Sequence, residues 1–331
     1  MFVVNSLPVA ILFCVITMLG WGSWANTQKL AGTRKWPFEL FYWDYAIGVL
    51  LFGLVFAHTL GSYGSAGAPA MTNLHGAQWG YVVAALVSGA IFNLSNILLV
   101  VGIDAAGMSV AFPIGVGLAL VIGTVESYVE NPKGNPPLLF GGVALVVFAM
   151  VMSALAHRRL PQTPGRKPLR GLIASLVAGF LMGFFYPMLM RAISPNFNSQ
   201  PLQPGMLTPY AALFCFGVGV FLSNFLWNTG FMMFGGVTYA QYFRGSAWLH
   251  LIGILGGCIW MLALSFNVIA SSVAGPAVSY ALGQGATLVA ALWGLVIWRE
   301  FRHAPAGTGK FIVLMLAGYA AGLILIGSAT Q

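Results

Sequence analysis

Charge is what this sequence lacks. Asp, Glu, Lys and Arg make up 6% of its 331 residues, against about 25% in an ordinary soluble domain. So few charges cannot cover the surface of a soluble fold of this length, which excludes the water-soluble classes. Acids are scarcest: Glu39, Asp44, Asp104, Glu126, Glu130 and Glu300 complete the set, and none stands at the centre of an apolar run. No His or Cys cluster has metal-ligand spacing. An enzyme is therefore not expected, and neither a metal nor a cofactor is called for. Cys14, Cys215 and Cys258 lie inside apolar runs and suit small buried hydrophobes better than a disulfide framework. Met1 to Ser6 has no basic residue, which argues against a cleaved signal peptide. The net charge of +8 does not imply nucleic acid, because the basic residues fall in short loops.

What is present is hydrophobic length. Hydrophobic residues make up 59% of the chain, in continuous runs of about 20 residues that suit membrane helices and not the alternating strands of a barrel. The expected fold is an all-α integral membrane protein with ten transmembrane helices. The spans fall near 4–26, 41–61, 77–102, 106–127, 137–157, 171–193, 207–234, 246–267, 271–298 and 310–329. The most polar linker, 158–170, separates a first five-helix repeat (1–157) from a second (171–331). An odd number of spans per half makes the copies face opposite ways, an inverted repeat.

The clearest trace of duplication is Ala106-Gly107-Met108-Ser109-Val110-Ala111-Phe112-Pro113-Ile114-Gly115-Val116-Gly117, echoed 168 residues later from Ala274 to Gly285. Matched pairs include Gly107/Gly275, Val110/Val278, Gly115/Gly283 and Gly117/Gly285. Each copy carries a small residue every fourth position, which on a helix makes a smooth ridge for close packing. Tyr45-Ala46 against Tyr210-Ala211 is a weaker echo.

Sidedness follows from the basic residues. Of the 14 Lys and Arg, only Lys133 and Arg191 lie in even-numbered connections. Odd connections should therefore be cytoplasmic, with both termini outside.

The run Ile91-Phe92-Asn93-Leu94-Ser95-Asn96, with Gly107-Met108-Ser109 and Val121-Ile122-Gly123-Thr124, resembles the drug/metabolite transporter superfamily (the EamA/DMT-like fold). Within it the likeness is to the group of ureide permeases, rhamnose–proton symporters and glucose/ribose porters. Ala277-Val278-Ser279-Tyr280-Ala281-Leu282-Gly283-Gln284 is similar to the sugar porters, whereas Gly20-Trp21-Gly22-Ser23-Trp24 and Tyr42-Trp43-Asp44-Tyr45 are similar to the ureide permeases. The resemblance implies two inverted halves around a central cavity, a small-molecule substrate, protons as a coupling partner and a bacterial inner-membrane location. It leaves monomer or homodimer open.

Polar residues at mid-membrane depth are the candidates for substrate contact, since an unpaired polar group there is costly. Gln284 replaces the apolar Val116 of the first copy. Asn93 and Asn96 lie one turn apart, and Asn224 with Asn228 forms a second amide pair less expected to line a cavity. Trp21, beside Ser23, and Tyr186 offer rings that stack on a sugar or a planar ureide or nucleobase. Phe112 and Tyr280 are matched by the repeat and expected to face one another. For each amide the competing role is an interhelical hydrogen bond. Asp44 is the candidate for proton coupling, its alternative being a solvated interfacial carboxylate near Lys29, Arg34 and Lys35. Asp104 suits a helix cap, and a lone His250 suits a structural role.

The expected function is a secondary transporter of a small, polar, uncharged metabolite (a monosaccharide, ureide or nucleobase) working by alternating access, with import driven by protons or running downhill. Alternatives are an exporter of amphipathic or aromatic compounds and a non-transport membrane scaffold. The sidedness is open to a direct check: a reporter that works only outside the cytoplasm should be active when fused at Gln331, and activity of a cytoplasm-only reporter there reverses the assignment.

Overall fold

The structure is a computed structural model that describes residues 1–64, 66–106, 108–160, 168–195, 197–198 and 202–330, excluding the side chains of 104, 108–110, 112, 113 and 168. The sequence expectations for Asp104, Gly107, Phe112 and Pro113, and most of linker 158–170, therefore lie outside the described residues.

Helices account for most of the described chain. They are α1 (Leu7–Ser23), α2 (Ala25–Gly32), α3 (Phe38–His58), α4 (Ala70–Gly76), α5 (Trp79–Ala106), α6 (Met108–Glu130), α7 (Pro136–Arg158), α8 (Pro168–Ala192), α9 (Pro209–Asn224), α10 (Trp227–Gly235), α11 (Tyr239–Phe243), α12 (Ala247–Ala274), α13 (Pro276–Gly283), α14 (Ala286–Leu292) and α15 (Thr308–Ser328). Among the described residues nine helical stretches are long and apolar enough to cross a membrane. The chain is an integral membrane protein. α6 covers the fourth expected span, but it is not one of the nine.

Helix starts follow the sequence closely. Pro occupies the first turn of α1, α7, α9 and α13, where its missing N–H costs nothing. Asn135 and Thr208 cap α7 and α9 by accepting from Leu138 and Ala211. α5 and α12 are each 28 residues long, and each ends just before a glycine of the repeated signature. Gly275 holds φ +85 between α12 and α13, and a β-carbon there would press on Lys133. A residue with a side chain fits that corner poorly.

Three expected spans are not continuous. The first breaks at Trp24 and the seventh at Phe225–Leu226. The ninth breaks at Gln284–Gly285, then passes through a π-helical turn at Trp293–Ile297. At the last two breaks the backbone switches to bonds three residues apart: Phe225 to Leu222, Leu226 to Ser223, Gly285 to Leu282 and Leu288 to Gly285. The smooth helix expected over 271–298 is thus corrected. Gly283 and Gly285 flank Gln284 and favour the interruption, since glycine stabilises helix interiors least.

The helices gather into two compact units, Met1–Asn93 with Met188–Val273, and Leu94–Pro187 with Ala274–Gln331. Each unit draws on both sequence halves. In the first, two helix contacts match in detail. A β-carbon on Gly48 of α3 would collide with the Ile254 carbonyl of α12, and one on Gly219 of α9 with the Leu86 carbonyl of α5. Conversely, Gly257 of α12 faces the carbonyl of Tyr45 and the amide of Val49, whereas Gly89 of α5 faces the carbonyl of Phe216 and the amide of Val220. Leu86/Ile254 and Gly89/Gly257 keep the interval of the sequence repeat. The same contacts pair Tyr45 with Phe216, so the register suggested by Tyr45-Ala46 and Tyr210-Ala211 is replaced. In the second unit the ridge on α6 packs as expected: Gly179 of α8 sits on the Gly115 backbone, and Gly123 lies under the Tyr280 ring.

Connections of like parity meet within a unit. In the first, Arg34 lies 4.4 Å over the Trp248 ring, joining connections 1 and 7, while Asn73 bonds Met206 and Thr208 across connections 2 and 6. In the second, Arg159 donates to the Ala306 carbonyl at 3.1 Å, joining connections 5 and 9.

Gly219→Ala should lower the melting temperature in detergent, by an amount equivalent to roughly 1–3 kcal/mol of overpacking. Gly80→Ala, in α5 with nothing within 4 Å of the added carbon, should be neutral or slightly stabilising. Equal effects would remove the close-packing account.

Candidate functional site

The described site candidates fall into three clusters, two in the first unit and one in the second. The first surrounds Asp44. Its carboxylate is 1% exposed and faces a helix made to cover it, since Gly253 of α12 packs directly on the Asp44 β-carbon. The Tyr242 hydroxyl donates to Oδ1 at 2.6 Å, and His250 Nδ1 lies 3.0 Å from Oδ1 and 2.9 Å from Oδ2. The expectation of a solvated carboxylate among Lys29, Arg34 and Lys35 is therefore corrected. Burial, then the hydrogen bond and charge of Asp44, push the Tyr242 phenol above its usual range, so it stays a donor. The His250 side chain is 24% exposed and packs edge-on against Trp36 and Tyr242. This arrangement can pass a proton between solvent and a buried carboxylate through the imidazole. Nothing in the spacing of Tyr242 or His250 ties them to Asp44, so sequence reasoning missed both.

The second cluster joins α5 and α9. Asn93 Nδ2 donates to the Val220 carbonyl at 3.2 Å, to Ser223 Oγ at 2.9 Å and toward Asn224 Oδ1 at 3.4 Å. Asn93 Oδ1 and Asn224 Nδ2 are buried with no partner among the described residues. Beside them, Phe92 stacks on Trp260 at 4.1 Å, Phe216 lies 5.8 Å from Trp260, and Trp21 lies 6.0 Å from it on the α1 side. Ser23 closes α1, and its carbonyl accepts from Asn26. Asn228, in α10, donates to the Glu39 carbonyl at 2.8 Å.

The third cluster is in the second unit. Tyr186, next to Pro187 inside α8, stacks on Tyr280 with ring centres 4.9 Å apart. Tyr280 donates to the Ala119 carbonyl at 3.4 Å, and its side chain is hydrogen-bonded to that of Gln284 at the helix break. Tyr280 thus has Tyr186 as its stacking partner, while Phe112 lies outside the described residues. Val116 and Asn96 are buried in the same unit, at 8% and 4% exposure. Asn93 and Asn96, adjacent on α5, fall into different units.

A profile of the ureide permease family matches residues 41–167, beginning at the Tyr42-Trp43-Asp44-Tyr45 motif. Ureide permease 1 of Arabidopsis thaliana is 22% identical over 96% of this chain and 95% of its own length. Ureide permease 2 from the same plant is 23% identical, covering 96% of both chains. Ureide permease 4 is also 23% identical, covering 98% of both. A crystal structure of a protein 16% identical superposes with a TM-score of 0.64 over 96% of each chain, which concerns the fold alone. The resemblance to the ureide permease group of DMT-like transporters is thereby borne out. These relatives are permeases and not enzymes.

Tyr242→Phe should cost about 1.5–3 kcal/mol, the usual value for a hydrogen bond to a charged group, read as a fall in melting temperature at alkaline pH. Tyr63→Phe, at a 73% exposed position, is the control. A change no larger than the control would mean that Tyr242 does not secure Asp44.

Proposed function

We propose that the protein is a secondary transporter that imports a small, uncharged, polar solute with protons, by alternating access. The observation that carries this reading is the composition of the interior. Asp44 is the one acidic or basic side chain among the buried described residues; the other buried polar side chains are amides and hydroxyls. An ionic cargo needs a buried countercharge. A neutral one needs hydrogen bonds and flat surfaces, which the amide and aromatic clusters supply. The nearly full-length likeness to ureide permeases favours a ureide, with a nucleobase next and a monosaccharide third.

Alternating access requires helices that change shape without unravelling. The breaks at Trp24, Phe225–Leu226 and Gln284–Gly285 are suited to this, because discontinuous helices are where transporters bind and hinge. Coupling is assigned to Asp44, with His250 as the route by which the proton arrives and Tyr242 holding the carboxylate in place. Cytoplasmic odd-numbered connections and external termini complete the reading.

In liposomes, an inward proton gradient should drive accumulation of hydantoin or uracil. Asp44→Asn should keep ligand-induced stabilisation of the purified protein and lose the response to the gradient. Wild-type uptake that ignores the gradient removes proton coupling. A panel of hydantoin, uracil and a monosaccharide that yields no stabilisation removes the neutral-solute reading.

A further inference from the structure

Buried amides in a membrane helix ordinarily complete their hydrogen bonds with a neighbour. At Asn93 and Asn224 this is only half done. The Asn93 nitrogen must point at the Val220 carbonyl, which can only accept, and this fixes the orientation of the whole group. Its oxygen is left over. Asn224 spends its oxygen on Asn93 and keeps its nitrogen. One open acceptor and one open donor therefore sit on adjoining amides, and both residues are 0% exposed.

The duplicated packing shows that the helix contact does not need these amides. Applying the registers that match Leu86 to Ile254 and Gly48 to Gly219, Asn93 corresponds to Met261 and Asn224 to Gly53. Those two also meet: a β-carbon on Gly53 would lie 3.2 Å from the Met261 methyl. An apolar pair holds one crossing, whereas the other carries two polar groups that are not fully satisfied. Their position is also distinctive. Asn224 is the last residue of α9, at the break before α10, and Gly89 and Gly219 press α5 and α9 together one turn earlier. The helices are pinned on one side of the amides and interrupted on the other.

We propose that Asn93 and Asn224 form the recognition point for a planar neutral solute that presents an N–H and a C=O side by side, as a urea, hydantoin or lactam does. The solute's N–H donates to Asn93 Oδ1 and its carbonyl accepts from Asn224 Nδ2. The break after Asn224 lets α9 and α10 part to admit it, and the rings of Phe92, Phe216 and Trp260 lie along the same helices. This assignment rests on the neutral-solute transport reading and specifies how that solute is chosen. It also moves the centre of recognition from Gln284 to the α5–α9 crossing.

The test is ligand binding to the purified full chain, followed by calorimetry and by thermal stabilisation. Hydantoin should bind, and 1,3-dimethylhydantoin, which keeps the carbonyls but has no N–H, should bind at least about 100-fold more weakly, because a site built around a hydrogen bond rejects ligands that cannot complete it. Asn93→Leu and Asn224→Leu should weaken hydantoin binding by a similar factor. The double variant, with both polar groups replaced by apolar ones, should melt no lower than the wild type without ligand. A purely structural pair gives the opposite pattern, lower melting with unchanged affinity, and overturns the proposal. Equal binding of hydantoin and its dimethyl derivative by the wild type overturns it without any substitution. If a monosaccharide binds while hydantoin and uracil do not, the transport reading stands and this site assignment falls. If no member of the panel binds, both fall.

Discussion

In a lipid interior no water completes a hydrogen bond, so every polar group must find its partner within the protein. Most of the described chain meets this demand locally. Thr17 donates to the carbonyls of Phe13 and Ala263, and Ser175 and Ser265 bond back to the turn before them. Asp44 meets it by gathering Tyr242 and His250 from two other segments. Where the demand is met, the residue is explained by the fold. Where it is left open, as at Asn93 and Asn224, a ligand is the natural remaining partner.

Helix contact in this setting comes from shape more than from the hydrophobic effect, because lipid tails are as apolar as leucine. Glycines at Gly48, Gly89, Gly219 and Gly257 bring backbones together and leave the neighbouring positions free of packing duty. The α5–α9 and α3–α12 contacts form two such frameworks. Chemistry can then be placed on one copy alone, and both Gln284 opposite Val116 and Asn93 opposite Met261 have that form.

The sequence told much about class and little about partners. The apolar runs located the spans because the thickness of a bilayer sets their length. The signature near Ala274 reads as a ridge within one span, whereas Gly275 forms a corner between α12 and α13. The breaks at Phe225–Leu226 and Gln284–Gly285 were not legible: hydropathy is continuous across them, and Gly283 serves a packing ridge as readily as an interruption. Nor could spacing reveal that His250 and Tyr242 lie on Asp44, some 200 residues away in sequence. That meeting depends on Gly253 leaving room beside α3, and no local pattern records it.

The stacking of Phe92 on Trp260 carries one further meaning. These residues occupy corresponding positions in α5 and α12, at the interval that separates Ala106 from Ala274, and their rings lie 4.1 Å apart and 28° from parallel. α5 packs on α9 and α12 packs on α3 through equivalent glycine contacts, and the stacked rings join these two pairs. Residues that touch in this way constrain each other, since each forms the other's surroundings. One position further along, Asn93 faces the end of α9 and Met261 faces Gly53 of α3, so a change at one needs no matching change at the other.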